Sequence, residues 1–420
     1  MKTNDVDIIN LGCRLNIYEG EVIKSLAHKN NLSNFTIINS CAVTQEAEKK
    51  VKYEIRKSKK NFPEKKIIVT GCAAQINPQK YANIDEVDFV IGNKEELQKQ
   101  IWSSLPNSNP VQVKDIFANN TIHNNIVEKF EGKSRAYIEV QQGCDHRCTF
   151  CVIPFGRGNN RSVPLGVIVE RIKTLVNNGY NEVVLTGVDI TDYGKDLPGM
   201  PSLSQLSQRL LNLVPGLEQL RLSSIDCAEI TEDFWSLLDN KRFMPHLHLS
   251  LQAGNDLILK RMKRRHTCQQ VFDFCQKARS IRNDIVFGAD IIAGFPTETE
   301  DMFQDSLNMI RDCNLTHLHI FPYSVRENTP AARMPQVPKN IIKQRAKLLR
   351  EAGERQMNKY LSTQIGISAI MLVEQTKENI SFGKSQHFTK IEINDVIKEG
   401  EIVHCMITNI NKGVLNAHII

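Results

Sequence analysis

The segment QQGCDHRCTFCVIPFGRG sets Cys144, Cys148 and Cys151 in a Cys-x3-Cys-x2-Cys pattern on a loop that a glycine opens. Three thiolates this close can wrap one compact metal centre, and soft sulfur ligands select zinc or an iron–sulfur cluster. A structural zinc closes its sphere with four ligands, a place His146 could fill. A four-iron cubane held by three cysteines instead keeps one iron open to a small molecule, as a catalytic centre requires. On these residues alone the zinc alternative stays open.

Three further cysteines end strand-like runs: NLGC at Cys13, NSC at Cys41 and TGC at Cys72. If those runs share one parallel sheet, their carboxyl ends lie along one edge, where open α/β sheets bind ligands. Three thiols there could hold a second cluster, although buried structural cysteines fit the spacing equally. Cys227, Cys268, Cys275, Cys313 and Cys405 lack such patterning and read as ordinary core or surface residues.

The elements that must position these thiols fall into three regions. The first alternates apolar runs (Val6–Leu11, Phe35–Asn39, Ile67–Thr70) with helical stretches such as Tyr18–Lys29 and Gln45–Asn61, the pattern of a parallel α/β domain over 1–118. A polar, Asn-rich stretch from Pro106 to Gly132 reads as a linker. Over 133–360 six strand-like runs follow: Ala136–Val140, Glu182–Leu185, Gln219–Leu222, His246–Leu251, Val286–Ile292 and His317–Phe321. Helices such as Gly166–Asn177 and Leu203–Leu213 separate them, which predicts a TIM-like βα barrel, partial rather than closed, with Cys144 directly after its first strand. Over 361–420 the segments Ser368–Glu374, Thr389–Asn394 and Glu401–Asn409 predict a small all-β barrel.

Eleven cysteines in a chain with no apolar leader point to metal or catalysis rather than a disulfide framework. No apolar run is long enough to span a membrane, and a cytoplasmic protein is expected. The net charge of +6 is concentrated in basic runs at Lys49–Lys66, Lys260–Arg265 and Lys343–Lys359. One such run is an ordinary solvated helix face, whereas three suggest a polyanionic partner. The last sixty residues carry five lysines against six acidic residues, so charge alone does not make that barrel an RNA binder.

The cysteine loop, with Phe150 before its third cysteine, resembles the signature of radical S-adenosylmethionine enzymes. GCRLNIYEGE at Gly12–Glu21, NSCAVT at Asn39–Thr44 and TGCAAQ at Thr70–Gln75 extend the resemblance over essentially the whole chain to the radical S-adenosylmethionine methylthiotransferases. RGNNRS at Arg157–Ser162, LRLSSID at Leu220–Asp226, LHLSLQAGND and TPAARMPQV at Thr329–Val337 resemble the branch acting on threonylcarbamoyladenosine in tRNA. Asp226 stands where that branch more usually has glutamate, and Asn328 where it has glycine.

The resemblance implies two 4Fe-4S clusters, one on Cys144, Cys148 and Cys151 and an auxiliary one on Cys13, Cys41 and Cys72. S-adenosyl-L-methionine would bind the open iron, with Phe150, Gly187, Ser250, Gln252, Gly294 and Tyr323 as cofactor contacts. The implied activity is that of a tRNA methylthiotransferase. A 5′-deoxyadenosyl radical would abstract a hydrogen, and a methylthio group would replace the C2 hydrogen of threonylcarbamoyladenosine at position 37, next to the anticodon. The implied partners are the tRNA anticodon stem-loop, an electron donor such as flavodoxin or ferredoxin, and a sulfur source. The chain would act as a monomer, with the C-terminal barrel (a TRAM domain in this family) holding the anticodon arm. A sibling enzyme for isopentenyladenosine or for a ribosomal-protein aspartate is built alike. A zinc-stabilised RNA-binding protein without catalysis is the alternative of another class.

Overall fold

In the computed structural model, which describes residues 6–105, 108–118 and 125–420, the chain forms three sheet systems; one large core runs through the first two, and the third has a core of its own. The expected linker residues at 106–107 and 119–124 lie outside the described residues. Strands β1 (Asp7–Asn10), β2 (Phe35–Ser40), β3 (Lys66–Gly71), β4 (Phe89–Ile91) and β5 (Val111–Gln112) pair in that order, all parallel. β5 is a correction to the expected linker: part of that stretch closes the edge of the sheet, and Val127 and Phe130 are buried. Its polar composition hid two short anchors, because an edge strand needs only a few backbone hydrogen bonds. The helix Arg14–Lys29 buries Leu15, Tyr18, Val22 and Ile23 at helical spacing and packs against the first strand of the next unit.

That unit contains β6 (Arg135–Glu139), a two-stranded ribbon of β7 (Gln141–Gln142) and β8 (Arg161–Ser162), then β9 (Glu182–Thr186) and β10 (Gln219–Leu222). It continues with β11 (Ser224–Ile225), β12 (His246–Gln252), β13 (Val286–Ala293) and β14 (Leu315–Pro322). The parallel sheets β6-β9-β10 and β11-β12-β13-β14 meet where β10 runs into β11. Among the described residues β14 does not pair back to β6, so the βα barrel is partial, as its six repeats suggested.

The last unit is a closed barrel of β15 (Ser368–Lys377), β16 (Ile380–Ser385), β17 (Lys390–Ile393), β18 (Ile402–Asn411) and β19 (Val414–Ile419). It docks on the amino ends of the radical-domain strands. Arg221 donates to the Ser385 and Gln386 carbonyls at 2.9 Å, Arg135 pairs with Glu374, and Asn181 donates to the Gly400 carbonyl at 2.8 Å. The cysteine loops leave the opposite, carboxyl ends. A strand of seven or eight residues separates the two ends by about 25 Å.

Candidate active site

The three strand-end cysteines fall on adjacent strands. Cys13 caps the helix after β1, Cys41 follows β2, and Cys72 starts the short helix after β3. Asn16 and Asn39, both buried, tie the first two turns together. The Asn16 amide donates to Asn39 Oδ1 at 2.7 Å, and Asn16 Oδ1 accepts from the Cys13 backbone N–H at 3.1 Å. Gly71, with φ +89°, turns the chain into Cys72, and a Cβ there would lie 2.4 Å from the Ser40 carbonyl oxygen.

The second loop leaves the β7 ribbon through Gly143, whose φ is +69° and whose Cβ would meet the Asn159 carbonyl at 1.9 Å. Cys144 N–H donates to Gly158 O at 3.0 Å, and Thr149 bonds the backbone of Arg261 and Met262, so both loop ends are anchored. Phe150 packs edge-on against Phe295 with centroids 6.3 Å apart, and Phe295 in turn against Tyr323. Arg264 donates to Cys148 Sγ at 3.6 Å, to Asp226 at 2.8 Å and to the Ser250 carbonyl at 3.0 Å.

The two loops meet through the helix Ile153–Arg157. Gly156 lies against Cys72, and Arg157 Nε donates to Cys72 Sγ at 3.1 Å. The same guanidinium grips Glu19 through two bonds of 2.6 and 2.9 Å and bonds Gln142 at 2.9 Å. Asn93 adds a 3.6 Å contact to the Cys72 sulfur. A pocket of about 210 Å³ opens between the loops, walled by Val43 and Thr44 just beyond Cys41 and by Phe150, Gln252, Asp290 and Tyr323. On its floor Asp290 accepts from His248 at 2.9 Å and His319 at 3.1 Å, and these hydrogen bonds hold its carboxyl well below the usual range against the burial that opposes it.

The donor set suits a polynuclear iron centre. Burial pushes Cys72 and Cys151 up to about 12 and raises Cys41 and Cys144 too, so these thiols need a cationic centre to become ligating thiolates. Thiolates about 2.3 Å from a single zinc sit within about 4 Å of one another. Among the described residues, groups whose ligating atoms all lie within 4.8 Å of one another include neither triad. Only Cys144 joins such a group, with His146 and Asp189, and His146 is already engaged by Asp192 at 2.9 Å. Neither triad is therefore drawn in as tightly as a single zinc ion needs, whereas a polynuclear cluster accepts thiols set further apart.

Of the other expected residues, Phe150, Gln252 and Tyr323 line the pocket together. Gln252 follows an irregularity in β12 with φ +70°, the local strain that binding sites often carry. Ser250 meets the site through its carbonyl. Gly187 follows β9 with Gln141 Oε1 only 2.7 Å from where its Cβ would be, and Gly294 stands in the same way 2.6 Å from Ile342. Reading the sequence missed Glu19, Arg157, Asp226 and Arg264 as site residues, although Glu19, Arg157 and Asp226 sit inside the quoted motifs. Their charge was the available signal. Asn328, where the branch has glycine, has φ +66°, a conformation asparagine tolerates better than most residues.

The family model described as radical SAM superfamily matches residues 138–310, and the one described as uncharacterized protein family UPF0004 matches residues 5–92. The chain is 49% identical to threonylcarbamoyladenosine tRNA methylthiotransferase MtaB of Rickettsia prowazekii, over 97% of this chain and 96% of that one. It is 36% identical to the protein of that name from Thermotoga maritima, over 93% and 91%. To tRNA-2-methylthio-N(6)-dimethylallyladenosine synthase of Acetivibrio thermocellus it is 29% identical, over 97% and 89%. Among solved structures, the radical S-adenosylmethionine methyltransferase TsrM of Kitasatospora setae superposes with a TM-score of 0.53 at 14% identity, covering 76% of this chain and 68% of that chain. At that identity the likeness concerns the fold alone.

Proposed function

The chain belongs to the radical S-adenosylmethionine methylthiotransferases that act on tRNA, and from that premise we propose that it methylthiolates C2 of N6-threonylcarbamoyladenosine beside the anticodon. The observation that carries this reading is the pocket shared by the Cys41 turn and the Cys148–Cys151 loop, the two triads being tied together through Arg157 and Cys72. An aromatic C–H resists acid–base chemistry, so the substrate carbon must lie within reach of both a radical source and a sulfur source.

In this reading Cys144, Cys148 and Cys151 hold one 4Fe-4S cluster and Cys13, Cys41 and Cys72 the other. The two clusters and S-adenosylmethionine supply radical, sulfur and methyl chemistry when bound, with electrons from a donor such as flavodoxin or ferredoxin. The protein's part is positional. Arg264 and Arg157 donate hydrogen bonds to ligand sulfurs, the second-sphere contacts that orient a ligand and set its basicity. Phe150, Ile292 and Phe321 make an apolar wall, while Asp290, ionised between two histidines, offers an acceptor in the same pocket.

The helix Gln45–Asn61 carries the first basic run beside the pocket, with Tyr53 exposed on it. It is the surface best placed to receive an RNA backbone. In the second run, Arg264 and Arg265 turn inward to Asp226. The C-terminal barrel sits at the far end of the radical domain, so holding the anticodon arm there requires the RNA to run along the domain's flank.

The test is nucleoside mass spectrometry of tRNA from cells lacking the protein. Loss of 2-methylthio-N6-threonylcarbamoyladenosine with accumulation of its unthiolated precursor is expected. Unchanged levels would overturn the reading, and loss of the isopentenyl derivative instead would assign the sibling reaction.

A further inference from the structure

Arg326 lies four residues beyond β14, on the wall between the 210 Å³ pocket and a second, 390 Å³ groove lined by Lys49, Lys52 and Lys80. It is 8% exposed. Nε donates to the Val43 carbonyl at 3.3 Å and one terminal nitrogen bonds Glu48 at 2.5 Å. The other terminal nitrogen is buried without a hydrogen-bond partner among the described residues, and the buried Tyr323 hydroxyl in the same pocket is likewise unpartnered. Two orphaned donors in one pocket are costly, the charged one the more so. Such donors persist where an ordered water or a ligand completes them, and a pair of them facing one pocket offers a ligand two ready contacts. Glu48 already serves both Arg326 and Lys80, while Lys49 and Lys52 are exposed cations on the same groove. On the groove side four cations, Arg326, Lys49, Lys52 and Lys80, face two carboxylates, Glu48 and Glu327, so the local field there favours an anion, whereas Asp290 sets a negative charge in the 210 Å³ pocket.

We infer that Arg326 and Tyr323 form an oxyanion subsite that fixes the target nucleotide by one negatively charged group. This rests on the tRNA reading above. Two sources carry that chemistry: the carboxylate of the threonylcarbamoyl arm, or a phosphodiester flanking the nucleotide turned into the pocket. A planar guanidinium with one free N–H edge suits either, and a neighbouring hydroxyl supplies the second donor.

The experiment measures binding of the full, cluster-reconstituted chain to three labelled anticodon stem-loops by fluorescence anisotropy. They carry threonylcarbamoyladenosine, its methyl ester, or unmodified adenosine. Losing a charge-assisted hydrogen bond should weaken binding about ten- to a hundredfold in Arg326→Gln. A loss confined to the threonylcarbamoyl RNA, with wild type itself discriminating against the ester, identifies the carboxylate. An equal loss on all three RNAs identifies the phosphodiester. Glu48→Gln breaks the existing ion pair but spares the free nitrogen, and should bind as tightly as wild type. If Glu48→Gln weakens binding as much as Arg326→Gln, the arginine only docks the two domains and the inference fails. It fails too if Arg326→Gln binds every RNA like wild type. Failure of wild type to bind any stem-loop overturns the tRNA reading, and the subsite with it.

Discussion

Replacing Arg157 by methionine probes the contact that joins the two cysteine loops. Arg157 is 2% exposed and its partner Glu19 fully buried. The substitution removes two bonds to Glu19, one to Gln142 and one to the Cys72 sulfur. What remains near Glu19 is the Gln142 amide at 3.1 Å, which cannot neutralise a carboxylate out of reach of water. Breaking a buried ion pair on one side costs about 3–5 kcal/mol, to which the lost contact with Cys72 adds roughly 1 kcal/mol. Urea unfolding of the metal-free chain, followed through the fully buried Trp102 beside the N-terminal sheet, should show a loss of about 4–6 kcal/mol. Glu19→Met should cost a similar amount, whereas the double variant should return to within about 1–2 kcal/mol of wild type, because both desolvation penalties disappear together. A single-variant cost below about 1 kcal/mol, or simple additivity in the double variant, would refute the argument that this pair is tightly coupled inside a dry interface.

Cys148→Ala should abolish S-adenosylmethionine cleavage, measured as 5′-deoxyadenosine, whereas Cys41→Ala should keep cleavage and lose methylthiolated product. Each variant should also retain about half the wild-type iron after reconstitution. Burial, together with the nearby Glu19 carboxylate, pushes Glu139 up to about 7. The native state thus holds a proton that the unfolded chain releases near pH 4.5, so this group's stabilising effect is present at low pH and lost as pH rises through about 7. Glu139→Gln should flatten that decline in thermal unfolding measured from pH 5 to 8, and an unchanged slope would contradict the shift. Phe388 lies under the guanidinium groups of Arg14, Arg135 and Arg221 and stacks on His246 with centroids 5.4 Å apart. Phe388→Ala should cost about 2–3 kcal/mol and expose the Lys339–Ser362 helix to limited proteolysis; an undiminished protease resistance would argue against this docking role.

Much of the architecture was legible because each element carries a local signal. β2, β3, β12 and β13 are apolar runs bounded by turn residues, and the helix Gln45–Asn61 is patterned so clearly that its limits match. β4, β5, β16 and β19 were not recognised: the first two are short, and the others alternate too weakly to stand out without their neighbours. The basic runs illustrate the opposite failure. Lys260–Arg265 reads as one solvated patch, yet Arg264 and Arg265 turn inward to Asp226, Glu229 and the Cys148 sulfur. Composition cannot say which way a long side chain faces.

By itself the sequence determined where the thiols of this protein stand: three on one short loop, three more at strand ends, and the order of sheets that carries them. Those are local properties, set by covalent spacing and by the periodicity of apolar residues. Only the tertiary structure decided that Cys72 meets Arg157 across 85 positions and that Arg326 crosses from β14 to Val43 and Glu48. It also placed the C-terminal barrel at the end away from the cysteines. Such contacts depend on parallel strands bringing their carboxyl ends to one face, and on charges that burial forces to find partners wherever the fold supplies them.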